Sequence, residues 1–212
     1  MTGSLGTLAI ALAIFIGMHL VPGVPGLRAA LIGALGKRAY RALFSVISIA
    51  GFVWIVFAHM DAPHILLWQG PDWLRLIPLA VMPIVLILLA GMPSKGMRKI
   101  TRHPLLWAVV LWATAHILTN GDAASLMLFG GLALFALIDQ PLADARTRRE
   151  DPEAWAKTSA ETSALPFLAA LQGRAKPSLK EIGYVRVAAA LVIYLIVLFG
   201  HEHVIGLSAL PL

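Results

Sequence analysis

Seven histidines and no cysteine set the chemistry open to this chain. Without thiols there is no disulfide, zinc–thiolate site, iron–sulfur cluster or thiol nucleophile, so any bound metal or cofactor rests on imidazole and carboxylate. The densest group runs from 98 to 122. It holds Arg98 and Lys99, the triplet Arg102-His103-Pro104, an apolar run carrying His116, and the turn Asn120-Gly121-Asp122. His59 closes one apolar run and His116 nearly closes another. Two histidines at one depth on neighbouring helices can hold a haem iron from both sides, and each can equally be a hydrogen-bonded residue of a bundle. Ser45, Ser48, Phe52 and Ile55 share the helical stripe of His59, and the small and flat residues there leave room for a planar ring. His103 and His116 are 13 residues apart on one helix, roughly 20 Å, too far to contact one small ligand together.

The triplet has its own mechanics. Pro104 suits the first turn of a helix, where its missing N–H is no loss. Arg102 and His103 then stand at a helix N-terminus, which favours an anion. The same residues serve equally as a topology anchor and a helix start, and Lys95, Arg98 and Lys99 can meet lipid headgroups. Asp144 precedes Arg148 by one helical turn and is expected to pair with it. Thr158 and Glu161 have capping-box spacing. His19, just before a Pro/Gly turn, reads as a ligand or a helix-end hydrogen bond, His64 as a loop residue, and His201-Glu202-His203 as a solvated helix end.

The elements that position these residues are apolar. The chain of 212 residues is 59% hydrophobic and 13% charged, about half the charge of a soluble domain. The reading is a single all-α domain over 1–212, a polytopic helical membrane protein with about six spans. The spans are Leu5–Leu20, Ala42–Ala58, Leu74–Ala90, Leu105–Leu118, Ala123–Ile138 and Val185–Phe199. Leu27–Leu35 is expected to be an interfacial helix, and Asp139–Gly183 a polar arm. Pro78 and Pro83 should kink the third span. Asn120-Gly121 should end the fourth, and Asp122 should cap the fifth. The N-terminal run lacks a basic leader and a cleavage site, so the first span is expected to be retained. All 17 lysines and arginines except Arg75 fall in three connections, 21–41, 91–104 and 139–186. The positive-inside rule puts these in the cytoplasm and both termini on the opposite face of the membrane. The same distribution accounts for the +6 net charge without nucleic acid and makes membrane lipids the expected partners.

Thr101-Arg102-His103-Pro104-Leu105-Leu106-Trp107 and Ala115-His116-Ile117-Leu118-Thr119-Asn120-Gly121-Asp122 resemble the NnrU family of bacterial membrane proteins. Gly17-Met18-His19, Arg38-Ala39-Tyr40-Arg41 and Thr162-Ser163-Ala164-Leu165-Pro166-Phe167 extend the resemblance over most of the chain. That family is similar to 15-cis-zeta-carotene isomerase, which uses haem b held by histidines. The resemblance implies haem b here, with His116 the best ligand and the second open between His59 and His19, topology favouring His59. It also implies a lipophilic polyene substrate, a redox partner, and a link to nitrite and nitric oxide metabolism, as an isomerase or as a non-enzymatic accessory of nitrogen-oxide reductases. A more distant likeness, to isoprenylcysteine and phospholipid methyltransferases, implies an S-adenosylmethionine site around Arg102, His103, Glu150 and Trp155.

Overall fold

Long runs of Leu, Ile, Val and Ala without internal charge leave the backbone only one way to satisfy its polar groups in hydrocarbon, the helix. The computed structural model describes residues 3–210 as helices joined by turns, with no strand among the described residues and one isolated antiparallel bridge, Leu66 to Asp122. Five helices, Leu5–Gly23, Lys37–Met60, Asp72–Gly91, Ala123–Glu150 and Tyr184–Ile205, are long and apolar enough to cross a membrane, and Pro104–Thr119 is a shorter apolar helix. The protein is an all-α, multi-pass membrane protein. The chain divides into two compact units: one up to Gln69 together with Asn120–Phe135, the other Gly70–Thr119 together with the residues from Ala136 onward.

In the first unit α1 (Leu5–Leu20) is capped by Ser4, whose hydroxyl accepts from Thr7 N at 3.1 Å. It packs against α3 (Lys37–Met60), which starts well before the expected Ala42; α2 (Pro25–Leu35) joins them. Leu8, Ala11 and Leu12 of α1 and Ile55 and Ala58 of α3 are buried. The Asn120-Gly121-Asp122 turn does more than end one helix and start another. Leu67 N and Trp68 N both donate to Gly121 O, at 2.7 and 3.1 Å, and Ala123 N donates to Ile65 O at 2.9 Å. A Cβ at position 121 would fall on the Trp68 carbonyl oxygen, so only glycine admits this strap. Asp122 Oδ1 accepts from Ser125 N at 2.9 Å, the expected cap.

In the second unit α4 (Leu76–Gly91) packs against both α6 (Pro104–Thr119) and α11 (Tyr184–Ile205). Val85, Leu88, Met97, Ala108 and Ile182 form its buried core. Pro78 falls in the first turn of α4, where a missing N–H costs nothing; Pro83 alone lies inside the helix. Pro83 deprives the Leu79 carbonyl of its helix donor, and Tyr194 of α11 replaces it, donating its hydroxyl to Leu79 O at 3.1 Å. Helix α5 (Lys95–Ile100) is capped by Ser94, and α10 (Leu179–Ile182) rests so closely on it that a Cβ at Gly96 would lie 2.6 Å from Ile182 N.

Helix α7 (Ala123–Glu150) runs past the expected end at Ile138 and through Pro141. Hydropathy falls at Asp139, but Leu, Ala and Arg are good helix formers and carry the helix onward. The expected arm is therefore largely helical: α8 (Pro152–Glu161) follows at once, then α9 (Leu168–Leu171). Asp151 caps α8, accepting from Ala154 N at 2.9 Å, so Thr158 lies inside the helix and begins no capping box.

Candidate functional site

The Arg102-His103-Pro104 end of α6 is the best-connected polar cluster of the second unit. Arg102 donates through Nε to Thr162 Oγ1 at 3.0 Å, through Nη2 to Thr162 O at 3.2 Å, and through Nη1 to Asp144 Oδ2. Its guanidinium lies 4.6 Å from the centre of the Trp155 ring, a cation–π contact. Asp144 therefore pairs with Arg102 and not with Arg148: α7 extends far enough to bring the carboxylate to the start of α6. His103 Nε2 sits 3.0 Å from Asp144 Oδ1, an ion pair only when the ring is protonated. The His103 side chain is only 10% exposed. Burial holds its pKa below the usual histidine range; Asp144 pulls the other way and Arg102 adds to the drop.

The segment Thr162–Phe167 closes over this end. Arg102 N donates to Ser163 O at 2.8 Å and Phe167 N to Ile100 O at 2.7 Å. Thr101 Oγ1 and Trp107 Nε1 both donate to Ala164 O, at 2.9 and 2.7 Å. Phe167 is held at φ 62°, the only non-glycine residue with positive φ among those described. That strain, of order 1–3 kcal/mol, is sustained by the hydrogen bonds on either side of it. Arg174 turns inward as well, donating to the carbonyls of Ser159, Ala160 and Thr162.

The histidines sort by what their Nδ1 atoms meet. His116 Nδ1 lies 2.8 Å from Trp112 O, and His19 Nδ1 lies 2.7 Å from Phe15 O. A carbonyl only accepts, so the neutral form of both rings carries its proton on Nδ1 and its lone pair on Nε2. This is how metal-bound histidines are usually oriented from behind. His19 also stands among aromatic rings, 4.2 Å from Phe15, 5.3 Å from Phe44 and 6.0 Å from Phe135 between centroids. His59 is engaged differently: its Nε2 lies 3.2 Å from Ser125 Oγ and its ring 6.0 Å from Phe129. On the stripe assigned to a planar ring, Phe52 packs its own ring against Phe15 at 6.4 Å, Ile55 is buried, and Ser48 donates back to Phe44 O. His19 and His59 belong to the first unit, His103 and His116 to the second.

The profile of the NnrU protein family matches residues 7–209. The chain belongs to the NnrU family. It is also similar to the 15-cis-zeta-carotene isomerase of maize chloroplasts (Zea mays), 27% identical over 178 residues, which is 73% of this chain and 48% of that protein. The chain thus spans about half the length of this relative. No solved structure matches. Two of the stretches that carry the family resemblance, 101–107 and 162–167, meet in space. Asp144 is the residue that sequence reasoning placed with the wrong partner.

Proposed function

We propose that this NnrU-family protein binds haem b through histidine Nε2 atoms and isomerises a double bond of a lipophilic polyene within the membrane. The observation that carries the reading is the His116 ring on an apolar helix, its Nδ1 held by the Trp112 carbonyl so that the lone pair lies on Nε2. Similarity to a carotene isomerase supplies the substrate class. His116 is the proposed ligand. When bound, the haem would supply a redox-gated Lewis-acid site, set by a redox partner. The chain's own part is to orient the His116 imidazole through the Trp112 carbonyl.

Purified full-length protein expressed with ample haem should show a Soret band and a reduced-minus-oxidised difference spectrum. His116→Ala should remove most of the bound haem. Absence of a Soret band would refute haem binding, and an unchanged His116→Ala spectrum would refute the ligand. The nitrogen-oxide reading draws on the same iron and is tested by adding nitric oxide to the reduced protein.

The Arg102 end is a clamp in this reading and not a methyl-donor pocket. Its guanidinium spends Nε, Nη1 and Nη2 on Thr162 and Asp144. Calorimetry with S-adenosylmethionine should record no binding heat. The basic connections face the cytoplasm of a bacterial inner membrane and both termini face the periplasm, which reporter fusions at each terminus would check.

A further inference from the structure

We propose that the basic cavity beside the clamp binds the headgroup of an anionic glycerophospholipid. The cavity measures 340 Å³ and is lined by Lys99, Glu161, Gly173, Arg174, Ala175 and Lys176. Three cations face one carboxylate. Lys99 is shared with Glu181 at 2.7 Å, and Arg174 is turned toward backbone carbonyls, which leaves Lys176, exposed and without an ion-pair partner among the described residues. A phosphate is the group that matches a lysine ammonium with further cationic charge behind it. Glu161 is placed to accept from hydroxyls, which a glycerol headgroup carries and a choline headgroup lacks.

The position of the cavity selects a lipid over a soluble anion. Lys99 follows α4 by eight residues and Lys176 precedes α11 by eight, so both stand just outside the ends of apolar spans. Ile182, between the cavity and α11, packs into the same core as Val85, Leu88 and Met97, which ties the lining to the end of α4. Large apolar side chains bracket the cavity in sequence: Leu171 is 83% exposed and Leu179 is 52% exposed. Exposed leucines beside unpaired lysine at the end of a span suit a membrane interface, where acyl chains cover the one and phosphates the other.

The test is native mass spectrometry of the full-length protein in detergent, offered phosphatidylglycerol or phosphatidylcholine of equal chain length at equal concentration. The wild type should retain more phosphatidylglycerol. Lys176→Glu should weaken that retention by about fivefold or more, since one basic residue near an anionic surface contributes about that factor. Lys37→Glu, at an exposed lysine of α3 that does not line the cavity, should leave it unchanged. Equal retention of both lipids, or a preference that Lys176→Glu does not move, overturns the assignment. Displacement of bound phosphatidylglycerol by inorganic phosphate alone would make the site one for a soluble anion and overturn the lipid reading as well. None of these readouts depends on haem.

Discussion

Tyr194 and Pro83 form a repaired break in α4 whose energetics can be isolated. Proline at 83 cannot donate to the carbonyl four residues back, Leu79 O, and that carbonyl faces a region where water is scarce. The Tyr194 hydroxyl reaches it at 3.1 Å. An unsatisfied carbonyl in hydrocarbon costs several kcal/mol in principle, but interhelical hydrogen bonds in bilayers average about 0.6 kcal/mol and reach about 1.7. The bond is somewhat long for O–H···O, where about 2.7–2.8 Å is typical. A value near the middle of the measured range follows, so Tyr194→Phe should cost about 1 kcal/mol, a factor of about five in the folding equilibrium. The decisive measurement is a double-mutant cycle. Pro83→Ala restores an N–H at 83, and in that background Tyr194→Phe should cost only a few tenths of a kcal/mol. Reversible unfolding of the full chain in mixed micelles, titrated with a denaturing detergent, reads all four proteins. An equal cost in both backgrounds would mean that the hydroxyl does not substitute for the missing helix donor. No cost in either would mean that the carbonyl is served within its own helix, for instance by the Met82 N–H in a tighter turn.

Asp144→Asn leaves the Arg102 guanidinium without its counter-charge at a side chain only 14% exposed, and should destabilise the second unit by about 2–4 kcal/mol, read by thermal unfolding in detergent. His103 should make stability depend on pH. Its folded pKa lies below the unfolded value of about 6.5, so the unfolded chain binds more protons in the window beneath that value; stability is full above it and falls as pH drops through it. His103→Gln should flatten that slope in unfolding midpoints measured across the window, and an unchanged slope would assign the titration elsewhere. Gly121→Ala puts a Cβ onto the Trp68 carbonyl and should break the strap between 65–68 and 121–123, seen as faster hydrogen exchange at Leu67, Trp68 and Ala123.

What was legible in the sequence follows from which interactions are local. The spans were readable because a bilayer demands apolar length, and all six expected spans coincide with helices of the structure. The Asp122 cap was readable because it lies three residues from the N–H it accepts. Boundaries set by helix propensity were not: α7 continues beyond Asp139 because polar helix formers follow, although hydropathy drops there. Nor were pairings across long separations. Asp144 had a plausible partner one turn away in Arg148, and only the path of α7 gives it to Arg102. The Arg102 and Thr162 positions are 60 residues apart, and nothing in local pattern says that the two stretches dock. Histidine positions could be read from the sequence, but their tautomers depend on which carbonyl each ring meets.

Helix α6 carries two kinds of polar chemistry, one at each end. At its start, the charged and hydroxyl groups answer one another: Arg102 with Asp144 and Thr162, Thr101 and Trp107 with Ala164 O. A ligand there would have to displace bonds already made, with only solvent-poor surroundings to compensate, so this end fixes the helix in place. At its other end His116 is oriented by a bond to the backbone of its own helix, which sets the ring and its tautomer. His103 and His116 stand 13 residues apart, about 20 Å along the helix, and the buried Ala108, Ala113 and Ala115 between them permit close packing along that length. On the proposed haem reading, a change at the clamp acts on haem binding only through stability. Folded Asp144→Asn protein should keep the spectrum of the wild type, whereas His116→Ala should lose it in protein that is otherwise as stable. A folded Asp144→Asn variant with a displaced Soret band would show that the two ends are coupled through the helix and not merely joined by it.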